Sequence, residues 1–158
     1  MEDVDWLRSM LSNELEVRPP RSKKSEQRFL DGNCVKLYDN NRIVAYAEMH
    51  RVGSHVEIST VLVDHEYRNK GIGKRLVKQV MGEINHNKIL CCTKNPAMAK
   101  VLDSLGFKPT KWPGIWTNFV LSINIIRRFI SMLIRFDFTR IWQQGKGIHR
   151  YSLFEIKR

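Results

Sequence analysis

At 158 residues and 42% hydrophobic content the chain can bury one proper core, so one domain over residues 1–158 is expected and two would each be small. No run of about 18 uncharged apolar residues occurs, and the opening MEDVDWLRSM is acidic where a secretory leader is basic and then apolar, which points to the cytoplasm. With 27 basic and 16 acidic residues the net charge is +11, which favours anionic partners (phosphorylated cofactors, nucleic acid or membrane headgroups) without choosing among them.

Residues 3–15, DVDWLRSMLSNEL, bring Trp6 and Met10, with Leu7, Leu11 and Leu15, toward one side of a helix. RPPRSKKSEQ ends it, because Pro19 and Pro20 lack a backbone donor and fix φ, and a short second helix is expected over 24–30. From Cys34 the apolar period changes to two. CVKLY, a turn at DNNR, IVAYAEMH, a turn at VGS, and HVEISTVLV read as an antiparallel meander of three strands. Ile72, Leu76, Val80 and Ile84 recur at four-residue steps and predict an amphipathic helix, followed by KILCCTK as a short, apolar central strand. Asn95 and Pro96 combine an N-cap with proline at the first helical position, and Gly106 can take the left-handed conformation that stops this helix at about Leu105. FKPTKW begins another extended piece and HRYSLFEIK alternates like a last strand. Cys34, Cys91 and Cys92 are odd in number with no C-x-x-C spacing, so neither a disulfide framework nor a zinc or other metal site is suggested.

Between those last two strands, over about 117–145, LSINIIRRFISMLIRF sets Asn124, Arg127, Arg128, Ser131 and Arg135 at steps of three and four. The opposite side is a broad apolar face with Ile126, Phe129, Ile130 and Leu133, the pattern of a basic amphipathic helix. That face is expected to pack on the parent domain or on a second copy in a homodimer, with a membrane surface as the alternative.

DHEYRNKGIGKRLV, residues 64–77, crowds basic side chains and two glycines between a strand and a helix, which asks for an anion. It is not a P-loop, since Arg68 stands where the first glycine belongs and Arg75 follows Lys74 in place of a hydroxyl. Nor is it a dinucleotide fingerprint, because Leu76 replaces the third glycine and the preceding strand belongs to a meander. What remains is strand, Arg-x-x-Gly-x-Gly, helix: Gly71 and Gly73 let several N–H groups turn into one hollow, which suits a diphosphate.

VLVDHEYRNKGIGKRLV resembles the acetyl-CoA signature, Q/R-x-x-G-x-G/A, of the GNAT superfamily of N-acetyltransferases. NPAMAKVLDSLGF resembles the same family's second motif, an asparagine leading a helix that ends in Gly-Phe, in the family's order and at about its spacing. The meander and the two motifs cover residues 34–111. The resemblance implies an α/β fold: a mixed, mainly antiparallel sheet of about six strands flanked by helices, with the cofactor in the gap where two neighbouring central strands part. The helical insertion before the last strand, and an opening helix where relatives begin with a strand, depart from the usual pattern. By the same resemblance the amides of Arg68, Asn69, Lys70, Gly71, Ile72, Gly73 and Lys74 bind the pyrophosphate of acetyl-CoA, with the Arg68 side chain against a phosphate. Leu62 and Val63 offer main-chain groups to the pantetheine arm, and Asn95 touches the cofactor, although helix capping explains Asn95 equally well.

Acetyl transfer to a primary amine needs the amine deprotonated, donors for the oxyanion, and a fate for the thiolate. The resemblance gives the Val63 N–H to the oxyanion and Glu57, six residues earlier on the same strand, to the proton, with Glu48 as the second candidate. The family's usual acid is a tyrosine seven residues after the motif asparagine, and here that position is Leu102. Tyr67, Tyr46, Tyr151 or water would have to serve. Trp112 and Trp116 could wall the acceptor pocket or pack under the insertion, and His65 borders the loop as an exposed residue. The function implied is an acetyl-CoA-dependent N-acetyltransferase acting on a small molecule or a protein. The alternatives are a CoA-binding or interaction module weakened by Leu102, and an acyltransferase whose acceptor is associated with nucleic acid.

Overall fold

The computed structural model describes residues 2–111, 115–134, 136–146 and 150–158. Its strands are β1 (Cys34–Asp39), β2 (Arg42–Val52), β3 (His55–Val63), β4 (Lys88–Thr93), β5 (Lys108–Thr110) and β6 (Ser152–Lys157). Its helices are α1 (Asp3–Asn13), α2 (Lys23–Leu30), α3 (Ile72–Glu83), α4 (Pro96–Ser104), α5 (Ile115–Ile134) and α6 (Phe138–Gly145). The strands form one sheet in the order β1-β2-β3-β4-β6-β5, antiparallel throughout except for the β3–β4 pair.

The meander follows from its turns. Asn40 and Asn41 both take positive φ, 47° and 61°, the two-residue hairpin geometry whose twist matches that of the flanking strands. β2 is buried at every position from Ile43 to Glu48, because helices cover both faces of the sheet there. On one face Leu7 and Leu11 of α1 meet Ile43, Tyr46 and Leu62. On the other, Leu76 and Val80 of α3 and Leu102 of α4 meet Leu37, Ile58 and Ile89. α4 ends as its sequence predicts: Gly106 has φ 88°, Phe107 N–H donates to the Leu102 carbonyl (3.1 Å), and Gly106 N–H donates to that of Asp103 (3.0 Å).

Two expectations change. α1 stops at Asn13, two residues before the apolar pattern ends, because a side chain from far along the chain takes over the carbonyls there. Arg140, 3% exposed, donates to the carbonyls of Leu11 (3.0 Å), Glu14 (3.0 Å) and Val17 (3.0 Å), and Gln144 to those of Leu15 (2.9 Å) and Val17 (2.9 Å). A cation at a helix C-terminus also suits the helix dipole. The inserted segment is two helices, since Phe136 takes φ 54° and Asp137 caps α6 by accepting from the Arg140 N–H (3.2 Å). Nor does the parent domain cover its apolar face: Met132 is buried, but Ile126, Ile130 and Leu133 are 57%, 49% and 51% exposed.

Candidate active site

The sheet opens at its centre. β3 and β4 pair only through Val56–Ile58 and Ile89–Cys91. Beyond that, β3 continues beside β2 alone and β4 beside β6 alone. The cause is a bulge: the β2–β3 register shifts between Tyr46 and Glu48, leaving one extra residue on β3, and Thr60 takes φ 49°. Positive φ is a strained choice for a β-branched residue, and the Thr60 hydroxyl is held by donating to Glu48 Oε2 (3.2 Å). A cavity of about 1100 Å³ occupies the opening.

One half of this cavity is built by the glycine loop. Asp64 ends β3 and accepts from Trp6 Nε1 (3.3 Å), Arg42 Nη2 (2.9 Å) and Glu66 N–H (3.2 Å), which anchors the loop to α1 and β2. Burial pushes its carboxyl up, but those hydrogen bonds and the Arg42 charge win and hold it below its usual range. Asn69 and Gly71 then take φ 62° and 76°, and α3 opens with a hydrogen bond from Arg75 N–H to the Gly71 carbonyl (3.0 Å). By helix geometry the N–H groups of Ile72, Gly73 and Lys74 precede that bond and have no acceptor within α3. A Cβ on Gly73 would meet nothing nearer than Val63 Cγ2, at 3.9 Å, so the missing side chain leaves room in the cavity that the protein's own packing does not need. These features fit a diphosphate.

Val63 sits at the mouth. Asp64 N–H donates to the Val44 carbonyl (2.8 Å), so strand alternation turns the Val63 N–H away from β2, toward the side where β4 has ceased to pair. The Val63 carbonyl accepts from Arg68 Nε (3.1 Å), and the Arg68 guanidinium also pairs with Glu14. Leu62 is buried, while Arg68, Asn69, Lys70, Gly71 and Lys74 are exposed on the loop. Asn95 lines the cavity, but its side-chain oxygen accepts from the N–H groups of Ala97 (2.9 Å) and Met98 (3.4 Å), the capping arrangement.

Glu57 and Glu48, alike in sequence, are set in different surroundings. Glu57 is half-buried and lines the cavity at the closed end of the split, in register with His50 on one side and Leu90 on the other. Glu48 is fully buried and surrounded by donors: Arg18 Nε (2.9 Å), Tyr46 OH (3.0 Å) and Thr60 OH, with His50 Nε2 at 3.0 Å and Arg21 Nη1 at 3.4 Å. Burial pushes its carboxyl up, yet hydrogen bonds from His50 and Arg18 and the charges of Arg18 and Arg21 outweigh that and hold it far below the carboxylate range. A carboxylate so held is a poor base, and Glu48 serves as the hub of a polar cluster.

The tyrosines separate as clearly. Tyr46 is fully buried, and burial together with Glu48 pushes its hydroxyl far up. The Tyr67 hydroxyl donates to Asp39 (2.6 Å), which raises it. Tyr151 lines the cavity just before β6, where Thr93 pairs with Ser152, and the Lys94 ammonium lies 5.6 Å from its ring centroid. Leu102 is fully buried in the core, with no part in the cavity lining. His65 is exposed, with Nε2 3.5 Å from Glu14. Trp112 and the Trp116 side chain lie outside the described residues.

The other half of the cavity contains residues that pattern reading passed over. Arg18 reaches inward to pair with the fully buried Glu26 (2.7 Å) and with Glu48, and Arg21 stacks on Phe29 at 3.9 Å from the ring centroid. The only sequence signal is the cluster of positive charge around Pro19 and Pro20 (Arg18, Arg21, Lys23, Lys24 and Arg28), and nothing local says which arginine turns in. Arg51 and, from α5, Leu121, Asn124, Ile125 and Arg127 complete this wall.

A sheet that parts at a bulged strand, with a glycine loop leading into a helix at the mouth, defines an acyl-CoA-binding acetyltransferase fold. The family model for the acetyltransferase (GNAT) family matches residues 4–107, and the chain belongs to that family. Among solved structures it is similar to N-acetylglutamate synthase from Neisseria gonorrhoeae complexed with coenzyme A and N-acetyl-glutamate, at TM-score 0.69 and 11% identity, over 99% of this chain and 33% of that one. It is also similar to Rv2747 from Mycobacterium tuberculosis in complex with CoA and NLQ, at TM-score 0.65 and 14% identity, over 99% and 94% of the two chains. Ribosomal-protein-alanine N-acetyltransferase from Brucella melitensis aligns at TM-score 0.59 and 18% identity, over 72% and 88%. The chain thus spans a third of the Neisseria enzyme and nearly all of the Mycobacterium protein. No curated protein matches it.

Proposed function

We propose that the protein is an acetyl-CoA-dependent N-acetyltransferase that acetylates a primary amine by direct attack in a ternary complex. One observation supports this reading: Gly71, Gly73 and Lys74, at the start of α3, line the same cavity that Glu57 lines from the closed end of the split. When bound, acetyl-CoA supplies an activated thioester. The amides from Arg68 to Lys74 hold the diphosphate with N–H donors and the positive end of α3. Leu62 and Val63 align the pantetheine arm through their main chain, and the Val63 N–H donates to the acetyl oxygen as it gains charge. Glu57 takes the proton of the ammonium, directly or through water, because an amine with a pKa near ~10.4 has no free lone pair at neutral pH. Tyr151 gives its phenolic proton to the leaving sulfur and takes up the second proton that the nitrogen sheds as the amide forms, in the role that Leu102 cannot fill.

The acceptor in this reading carries a carboxylate beside its amine. Arg51 and Arg127 line the wall, and among the described residues neither pairs with a carboxylate. A guanidinium can hold a carboxylate by two parallel hydrogen bonds. The N-acetyl-glutamate named for the Neisseria neighbour supports the same class. A CoA-binding module without transfer is the second reading, favoured by the burial of Leu102. Thiol release from acetyl-CoA, followed with amines that do and do not bear carboxylates, distinguishes the two. Turnover confined to carboxylated amines is expected, and tight CoA binding with no turnover on any amine would leave the second reading standing.

A further inference from the structure

We propose that the outward face of α5 and α6 docks on an anionic membrane surface, lying in the interface without crossing it. On α5, Phe119, Ile123, Ile126, Ile130, Leu133 and Ile134 follow one another at steps of three and four, apart from the last pair, and are 55%, 38%, 57%, 49%, 51% and 72% exposed. The stripe continues past the break through Phe136, Phe138 and Trp142, all more than half exposed. A contiguous patch of this kind marks a surface that meets something apolar.

Charge chooses the occupant. Arg140 is buried and bonded to Asp137 (2.9 Å), which takes up the one acidic residue that the sequence has over 115–146 and leaves the Lys146 ammonium at the far end of the stripe. In a two-fold interface the same patch meets itself, so a second copy would bring Lys146 no carboxylate to pair with. Anionic headgroups meet that charge directly, and the net charge of +11 adds to the attraction. Size agrees: a stripe one helix wide along the 20 residues of α5 and the 8 of α6 covers roughly 42 Å by 10 Å, about 420 Å², against about 800 Å² per partner in a stable complex. At the far end the Lys146 ammonium lies 4.5 Å from the Trp142 ring centroid, an aromatic with a cation at its rim, as interfacial anchors have. Among the described residues no helix is long and apolar enough to cross a membrane.

Co-sedimentation of the full chain with phosphatidylcholine vesicles, with and without phosphatidylglycerol, tests the proposal. Sedimentation with the phosphatidylglycerol vesicles alone, weakened by added salt, is expected. Ile130→Asp with Leu133→Asp should lower that affinity at least roughly tenfold, with the unfolding midpoint and CoA binding unchanged because both side chains are exposed. Phe138→Asp with Trp142→Asp, on the other helix, should do the same and keeps the test open if the first pair fails to fold. The proposal is overturned if the protein stays in the supernatant, or binds both vesicle types alike. It is overturned too if sedimentation velocity shows a lipid-independent dimer that these substitutions disperse.

Discussion

Glu57 and Tyr151 line one cavity from β3 and from the segment before β6, and the proposed mechanism gives them the two ends of the proton's path. Glu57→Gln keeps the shape and removes the base, so kcat should fall about 100-fold with CoA affinity unchanged, a split that steady-state rates and calorimetry resolve together. Tyr151→Phe should lower kcat about tenfold with a thioester and less with an acyl donor whose leaving group is a weaker base. If both variants turn over like the parent protein, the acid–base assignment is wrong although the cofactor site can still stand. Gly73→Val tests the cofactor site by itself. A Cβ there meets only Val63 Cγ2 at 3.9 Å, so thermal stability should hardly change while CoA affinity falls at least about tenfold by calorimetry.

At the scale of elements, local patterns carried through wherever the cause of a structure was local. The Asn40–Asn41 turn, the Asn95–Pro96 helix start and the Gly106 stop each depend on neighbours in sequence, and the structure keeps all three. It keeps the strand, loop and helix of residues 55–83 as well. What escaped reading depends on distant partners. The Thr60 bulge that opens the sheet is held by Glu48, twelve residues away, and Glu48 is held in turn by Arg18. The early end of α1 depends on Arg140, and the break of the insertion at Phe136 falls inside an unbroken apolar period. Removing the Arg140 side chain should therefore act at both ends of the chain. Arg140→Ala leaves buried carbonyls without donors and should destabilise by about 3 kcal/mol, lowering Tm by roughly 6–12 °C for a chain of this size. Gln144→Ala should cost less, because one uncharged amide is lost.

For the whole molecule, acid should undo the polar cluster before it undoes the apolar core. Glu48 titrates far below its ordinary value of 4.5, so the folded chain binds fewer protons than the unfolded chain. Its stabilisation is complete above that ordinary value and is lost as pH falls below it toward the lower folded one. Asp64, lowered from 3.8, adds in the same direction. Urea unfolding between neutrality and pH 3 should show stability falling as acid is added. Glu48→Gln should be less stable at neutrality, by about 3 kcal/mol for a broken buried pair, and flatter below pH 4.5; an unchanged slope would remove Glu48 from the account.

The Arg140 clasp also sets an order of assembly. Residues 2–111 hold the first five strands, the glycine loop and the apolar faces that pack α1 to α4 on the sheet, and a growing chain makes them first. The carbonyls at the end of α1 wait until the guanidinium at 140 has been synthesised, and the gap beside β4 waits for β6. Under the proposed function, a ribosome-bound intermediate would thus offer a formed diphosphate hollow beside an unfinished acceptor wall, and the nascent protein would hold coenzyme before it selects an amine.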